Sequence, residues 1–220
     1  MVVVDNVRMV ANEPLRERLV GAGVDLLEEV GAAQLGLRAI TRAAGVSHGA
    51  PRRHFPTHRA LLAAIAARGF ADLIDRFAAA DPTPATARER LARMSVEYVE
   101  FAGERPEMFT LMFRHDLLEG SGENLRATTL PLFERFAALV DEAAESACES
   151  RRREAAESAC EPRRREAAHG GAVSAAERAI ALWTNLHGIA ALRANRSLRL
   201  VGPATDTRAL VDRALELHLA

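Results

Sequence analysis

The sequence predicts an all-α protein of about nine helices: a small N-terminal helical domain built around a helix-turn-helix, then a larger helical domain. Three observations predict it. Ala and Leu dominate a chain that is 49% hydrophobic but only 5% aromatic, whereas strands draw on β-branched and aromatic residues. Apolar residues recur at three- and four-residue steps through most of the chain. No run alternates apolar and polar long enough to make a half-buried strand.

The elements follow from punctuation. Leu15, Leu19, Ala22, Leu26 and Val30 line one helix from about Pro14 to Glu29, with Pro14 in its first turn and Gly31 at its end. A short helix over about Leu37–Ala44, the turn Gly45-Val46-Ser47 and a third helix from His48 to His54 come next. Thr57 is placed to cap a longer fourth helix carrying Leu62, Ile65, Gly69, Leu73 and Phe77. Asp81-Pro82-Thr83-Pro84 is a break with Thr83 as cap and Pro84 at a first helical position. It separates a domain over 14–80 from one over 84–220. Further helices are expected near Pro84–Gly103, Pro106–Leu118, Glu123–Ala147, Val173–Arg196 and Pro203–Leu219.

Residues 143–166 repeat a 12-residue unit, AAESACESRRRE followed by AAESACEPRRRE. Twelve residues advance a helix by about three and a third turns, so the second copy faces about 120° away from the first. The two copies cannot pack the same stripe on one core, so the segment reads as an exposed insertion. Glu149/Arg153 and Glu161/Arg165 have i,i+4 spacing, Pro162 interrupts a continuous helix, and Gly170-Gly171 ends the excursion.

At 220 residues the chain can bury a sizeable core. Its net charge of −1 does not mark a nucleic-acid binder as a whole. All 29 basic residues are Arg, which keeps a bidentate fork for phosphate or guanine wherever one stands. No stretch reaches the roughly 18 apolar residues of a membrane span. Met1–Val10 lacks the basic start of a signal peptide, and Cys148 and Cys160 are one cysteine duplicated. The expectation is a cytoplasmic chain without disulfides, metal or cofactor.

Charge and turn chemistry coincide in one place. From Gly31 to Ala71 there is no Asp or Glu, while Arg38, Arg42, Arg52, Arg53, Arg59, Arg68, His48, His54 and His58 fall in that window. In a nearly neutral chain this is a local electropositive footprint. Within it, Gly45 can take the left-handed conformation of a tight turn, Val46 can plug the angle between two short helices, and Ser47 can cap the second of them. Ile40 and Phe55 are apolar anchors. A basic face on an ordinary helical bundle would explain the charge but not the turn.

Residues from about Arg16 to Ala67 resemble the DNA-binding domain of TetR-family transcriptional regulators, through Ile40, Ala44-Gly45-Val46-Ser47, His54-Phe55 and Leu61-Leu62. The resemblance implies a homodimer whose third helices enter successive major grooves about 34–36 Å apart. The DNA-binding residues it implies are Arg38, Arg42, Ser47, His48, Gly49, Arg52, Arg53, His54 and His58. Arg38, Arg42, Arg52 and His58 are expected mainly at phosphates, and His48, Gly49 and Arg53 at base edges. Three positions depart from the family pattern: Gly36 replaces a hydroxyl residue, Arg52 a Tyr, and His58 a Lys. Gly36 is left with only its backbone N–H to offer.

Trp183-Thr184-Asn185-Leu186-His187-Gly188 is similar to the Trp…His-Gly signature of one TetR subgroup, as is the pattern from Tyr98 to Phe113. A small apolar or amphipathic effector is expected, with Tyr98, Phe101, Phe109, Met112, Phe113, Phe136, Trp183 and His187 as candidate ligand residues. Rings at helical spacing are usually core, and Trp183 with His187 reads first as a packing pair beside Gly188. By resemblance the last two helices, with Ile180, Trp183, Ala190, Leu210, Ala214 and Leu217, form a four-helix bundle with a second copy.

The rival classes are a ligand-independent architectural DNA-binding protein and a helical enzyme. No GxSxG, P-loop, GxGxxG or HExxH motif is present. His115-Asp116, adjacent on a helix, point apart and make a poor metal pair. The reading is a ligand-responsive repressor that is not an enzyme.

Overall fold

The structure, a computed structural model, describes residues 14–47, 49–81, 85–158, 174–202 and 206–219. Among these there are ten α-helices, one 3-10 helix and no strand. The α-helices are α1 Leu15–Val30, α2 Leu37–Ala43, α3 His58–Ala79, α4 Ala87–Glu104, α5 Pro106–Met112, α6 His115–Leu118, α7 Arg126–Ser158, α8 Ala175–Ala194, α9 Leu198–Val201 and α10 Thr207–Leu219. The 3-10 helix, η1, is Ala50–Arg53 and lies between α2 and α3. The chain forms two compact units, Met1–Ile74 with Phe101–Thr129, and Asp75–Glu100 with Leu130–Ala220.

The first unit is organised by apolar faces closing on a common core. Leu19, Leu27, Leu35, Ile40, Leu61 and Ile65 are fully buried, and Phe55 is buried beside them. Truncating any one to Ala would cost about 2–5 kcal/mol. Gly23 lets α1 approach α3: a Cβ there would meet Ile65 Cδ1 at 2.4 Å. Gly69 does the same for α5, since a Cβ would lie 2.6 Å from Met108 Sδ. Two carboxylates fix α5. Glu28 accepts the backbone N–H groups of Glu107 and Met108 at 3.2 and 3.0 Å, and Asp72 pairs with Arg105 Nη1 at 2.7 Å.

The second unit buries Leu91, Val99, Val140, Leu182, Leu186, Val211 and Leu215. Arg193 on α8 bonds both Thr207 at the start of α10 and Glu100 on α4. Arg90 grips Asp81 through its side-on fork, with Nε–Oδ1 and Nη2–Oδ2 both 2.9 Å. That bond holds the Asp81 carboxyl below the usual carboxylate range.

Several expected boundaries move, each for a local reason. Thr57 caps α3 as expected, its Oγ1 accepting the Ala60 N–H at 3.1 Å. The cap Thr83 and first-turn Pro84 lie outside the described residues. α4 begins at Ala87, where Thr86 Oγ1 accepts the Glu89 N–H and Glu89 Oε2 accepts the Thr86 N–H, a capping box. A second box opens α8 at Ser174 and Glu177 rather than at Val173. The helix expected over Pro106–Leu118 is two, because the chain leaves helical geometry at Phe113-Arg114. Arg114 then folds back on Asp116 with a two-point ion pair. The Glu123–Ala147 helix begins at Arg126 and continues to Ser158. The last helix starts at Thr207, with the extra short helix α9 before it.

α7 therefore runs unbroken through the first copy of the duplication. Ala143 and Ala144 still pack in the core, and residues 149–157 are exposed. Cys160, Pro162 and Gly170-Gly171 lie outside the described residues. Among the described residues no helix is long and apolar enough to cross a membrane.

Candidate nucleic-acid interface

The turn between α2 and η1 is built by its own backbone. Ala44 N–H bonds the Ile40 carbonyl, Gly45 N–H that of Arg42, and Val46 N–H that of Thr41. Gly45 has φ +65°, the left-handed value that a side chain resists. Thr41 is buried and returns its hydroxyl to the Arg38 carbonyl at 3.0 Å. One contact comes from far along the chain: Arg18 Nη2 on α1 donates to the Ala44 carbonyl at 2.6 Å. A cation at this helix end also meets the negative pole of α2. Motif spacing gave no sign of Arg18. The signal available was an Arg on the inward side of α1, between Leu15 and Leu19.

The third helix differs from expectation. Of the expected His48–His54 helix, the described part Gly49–His54 is not a regular α-helix; its core is the 3-10 turn Ala50–Arg53, entered from Gly49 with no side-chain cap. Pro51 is the cause. It has no N–H for an intrahelical bond, so it can stand only in a first turn, and Gly49 ahead of it is a poor helix former. The chain closes by Ala50 N–H to Ser47 O (3.1 Å) and by His54 and Phe55 N–H to Pro51 O (2.9 and 2.8 Å). Ser47 thus contributes its carbonyl, and Gly49 holds the cap position assigned to Ser47. Phe55 is driven into the core, with the Arg16 guanidinium 5.4 Å from its ring centroid.

The candidate DNA residues fall as follows. Arg38 and Arg42, one turn apart on α2, are exposed and line an open hollow with Gln34, Gly36, Ala39 and Val46. Arg52 and Arg53 are exposed on η1, across the Gly45 turn, and Ser47, Gly49 and His54 are exposed as well. His48 lies outside the described residues. None of Arg38, Arg42, Arg52 and Arg53 is ion-paired among the described residues. Arg16, Arg68 and Arg105 of the same unit are bound to Glu123, Glu17 and Asp72 respectively. Arg59 is held by the Glu119 carbonyl at 3.2 Å.

Two of the three departures acquire a structural meaning. His58 Nε2 donates to the Leu35 carbonyl at 2.7 Å, so one ring nitrogen ties the start of α3 to the loop before α2. Gly36 does not hold out a free N–H: that group bonds the Gln34 carbonyl at 2.8 Å.

The candidate effector residues divide between the units. Phe101, Phe109, Met112 and Phe113 belong to the first, where the Phe109 and Phe113 rings lie 4.9 Å apart and tilted by 53°, and Phe70 meets Phe113 edge-on at 5.9 Å. Tyr98, Phe136, Trp183 and His187 belong to the second. There the Tyr98 hydroxyl is 2.7 Å from His187 Nδ1, and the rings of Trp183 and His187 are 5.3 Å apart. Burial pushes the Tyr98 phenol well above its usual range and His187 below its own.

A short helix, a left-handed turn and a second short element that displays unpaired arginines define a helix-turn-helix DNA-binding protein. Residues 19–65 match the domain described as bacterial regulatory proteins, tetR family, and residues 91–218 match the tetracyclin repressor-like C-terminal domain. The chain belongs to the TetR family of DNA-binding transcriptional regulators.

Solved structures agree in fold. A protein of unknown function from Rhodococcus sp. RHA1 is 27% identical, with a TM-score of 0.69 over 94% of this chain and 95% of that one. A TetR-like transcriptional regulator from the same source is 17% identical, with a TM-score of 0.61 over 93% of each chain. The transcriptional regulator FadR from Bacillus subtilis, in complex with stearoyl-CoA, is 16% identical, with a TM-score of 0.58 over 93% of this chain and 97% of that one. No curated protein matches the sequence.

Proposed function

We propose that this protein is a repressor that binds a palindromic operator as a homodimer and lets go when a small molecule occupies its second unit. The observation that carries the DNA reading is the set Arg38, Arg42, Arg52 and Arg53, exposed and without ion pairs among the described residues on both sides of the left-handed Gly45 turn. Arg38, Arg42 and Arg52 serve phosphates, positioning the domain without reading sequence. Arg53 and Gly49, with His48, serve base edges, Arg53 by a two-point bond to guanine. His58 can donate to phosphate from Nδ1 only as the imidazolium, its Nε2–H being committed to the Leu35 carbonyl.

The dimer reading rests on the faces of α8 and α10. Ala176, Ile180, Thr184, Gly188 and Leu192 recur every four residues on α8, all exposed and none charged. Leu217 on α10 is 69% exposed. Among the described residues, nothing beyond its own stretch of helix stands within 4 Å of a Cβ at Gly188, so close approach there is left for a second copy. Ala190 and Ala214, expected on this face, are buried in their own unit instead.

A ligand that prefers one spacing of the two DNA-reading heads by about 1–3 kcal/mol changes operator affinity by about 5–150-fold. The FadR complex with stearoyl-CoA supports a small-molecule effector for this fold. Selection from random DNA at two salt concentrations tests the whole reading. A palindrome with half-sites about one helical turn apart supports it. Uniform affinity without a consensus favours the architectural alternative.

A further inference from the structure

The core of the second unit is mostly apolar, and apart from the Arg193–Thr207–Glu100 cluster a second polar group is set into it. Tyr98 on α4 is 8% exposed, with its hydroxyl 2.7 Å from Nδ1 of His187 on α8. Trp183 stands one turn before His187 on α8. A phenol and a neutral imidazole can share one hydrogen bond in either direction. Burial favours the uncharged forms of both residues.

Around these groups the rings form a row. Trp183 and His187 lie 5.3 Å apart and tilted by 33°, Phe133 of α7 meets Trp183 edge-on at 6.3 Å, and Phe136 is 6.1 Å from Phe133. Phe133, Trp183 and His187 are only half-buried. Ser95 stands one turn before Tyr98 on the same face of α4. It is 1% exposed, and its hydroxyl has no hydrogen-bond partner among the described residues. A buried hydroxyl left unsatisfied is costly, and a helix needing only to pack would carry Ala there.

We infer that Ser95, Tyr98, Trp183 and His187, walled by Phe133, form the polar end of the effector site, and that it takes an uncharged planar aromatic compound bearing a hydroxyl or carbonyl group. The ring of such a compound stacks on Trp183 and Phe133, and its oxygen meets the Ser95 hydroxyl beside the Tyr98–His187 pair. No member of the row carries charge to offset a buried carboxylate or phosphate. This rests on the effector reading above.

The test uses the full-length protein with three probes: 1-naphthol, 1-naphthoate and stearoyl-CoA. Binding is followed by calorimetry and by the fluorescence of Trp183, the only tryptophan in the chain. The expected result is that 1-naphthol binds and perturbs Trp183 while 1-naphthoate binds at least about tenfold more weakly. Ser95→Ala should keep or raise the melting temperature yet weaken 1-naphthol by about tenfold, and Tyr98→Phe should weaken it too. Unchanged 1-naphthol affinity in both variants overturns the inference. So does equal or tighter binding of 1-naphthoate, or no binding of 1-naphthol up to its solubility. If stearoyl-CoA releases DNA while 1-naphthol does not bind, the regulator reading stands and this inference falls. If 1-naphthol binds as stated without releasing DNA, the site stands and the release mechanism falls.

Discussion

Arg18 and Ala44 are 26 residues apart, yet the guanidinium of one caps the carbonyl of the other at 2.6 Å. The bond joins α1 to the end of α2 where the chain enters the Gly45 turn. A hydrogen bond from a charged group contributes about 1.5–3 kcal/mol. Arg18→Ala should lower stability by an amount of that order and loosen the angle between α2 and η1. DNA affinity should then fall on every sequence with the salt slope unchanged, because Arg18 reaches no phosphate. Arg18→Lys should recover part of the loss. A salt slope lowered by one unit in Arg18→Ala would instead place Arg18 on the DNA backbone.

Arg52 is exposed, unpaired among the described residues, and stands where the family pattern has Tyr. If it neutralises one phosphate, Arg52→Ala should weaken binding to all sequences and lower the slope of log affinity against log salt by about one unit. Binding titrations at several salt concentrations, on operator and on unrelated DNA, measure both. A changed sequence preference with the slope intact would move Arg52 from phosphate to base contact.

His187 gives stability a pH dependence whose sign follows from its burial. Its folded pKa lies below the ordinary value, so the unfolded chain takes up a proton first as pH falls. The contribution of neutral His187 is complete above about pH 6.5 and is lost progressively below it, until the folded group titrates as well. His187→Gln should flatten the profile in that window. Thermal melts at about pH 8 and about pH 5 compare the two proteins, and parallel profiles would exclude His187 as a source.

Ile180 is 50% exposed and Leu217 is 69% exposed, each on an outward face of its helix. A charge there meets water in the monomer and an apolar surface in a dimer. Ile180→Glu with Leu217→Glu should leave the helical signal intact and shift the protein to monomer in sedimentation. Operator affinity should fall with the loss of the second half-site. A variant that remains dimeric would move the interface to other helices.

The sequence by itself determined what depends on neighbours along the chain. Helix content, the Gly45 turn, the Thr57 cap and the acid-free stretch Gly31–Ala71 are local facts, since propensity, left-handed glycine and side-chain caps act over a few residues. Two further local signals were there to be read, the capping boxes Thr86/Glu89 and Ser174/Glu177. So was Pro51, whose missing N–H accounts for η1. Only the tertiary structure decided which arginines remain unpaired and which are tied up. Arg38 and Arg52 differ from Arg59 and Arg68 in nothing the sequence displays, because ion pairs form between helices whose approach is set by packing. The same holds for Arg18 with Ala44, His58 with Leu35, and Tyr98 with His187 across 89 positions. Those bonds join elements that periodicity predicts one at a time, and the closure of the apolar faces brings them together.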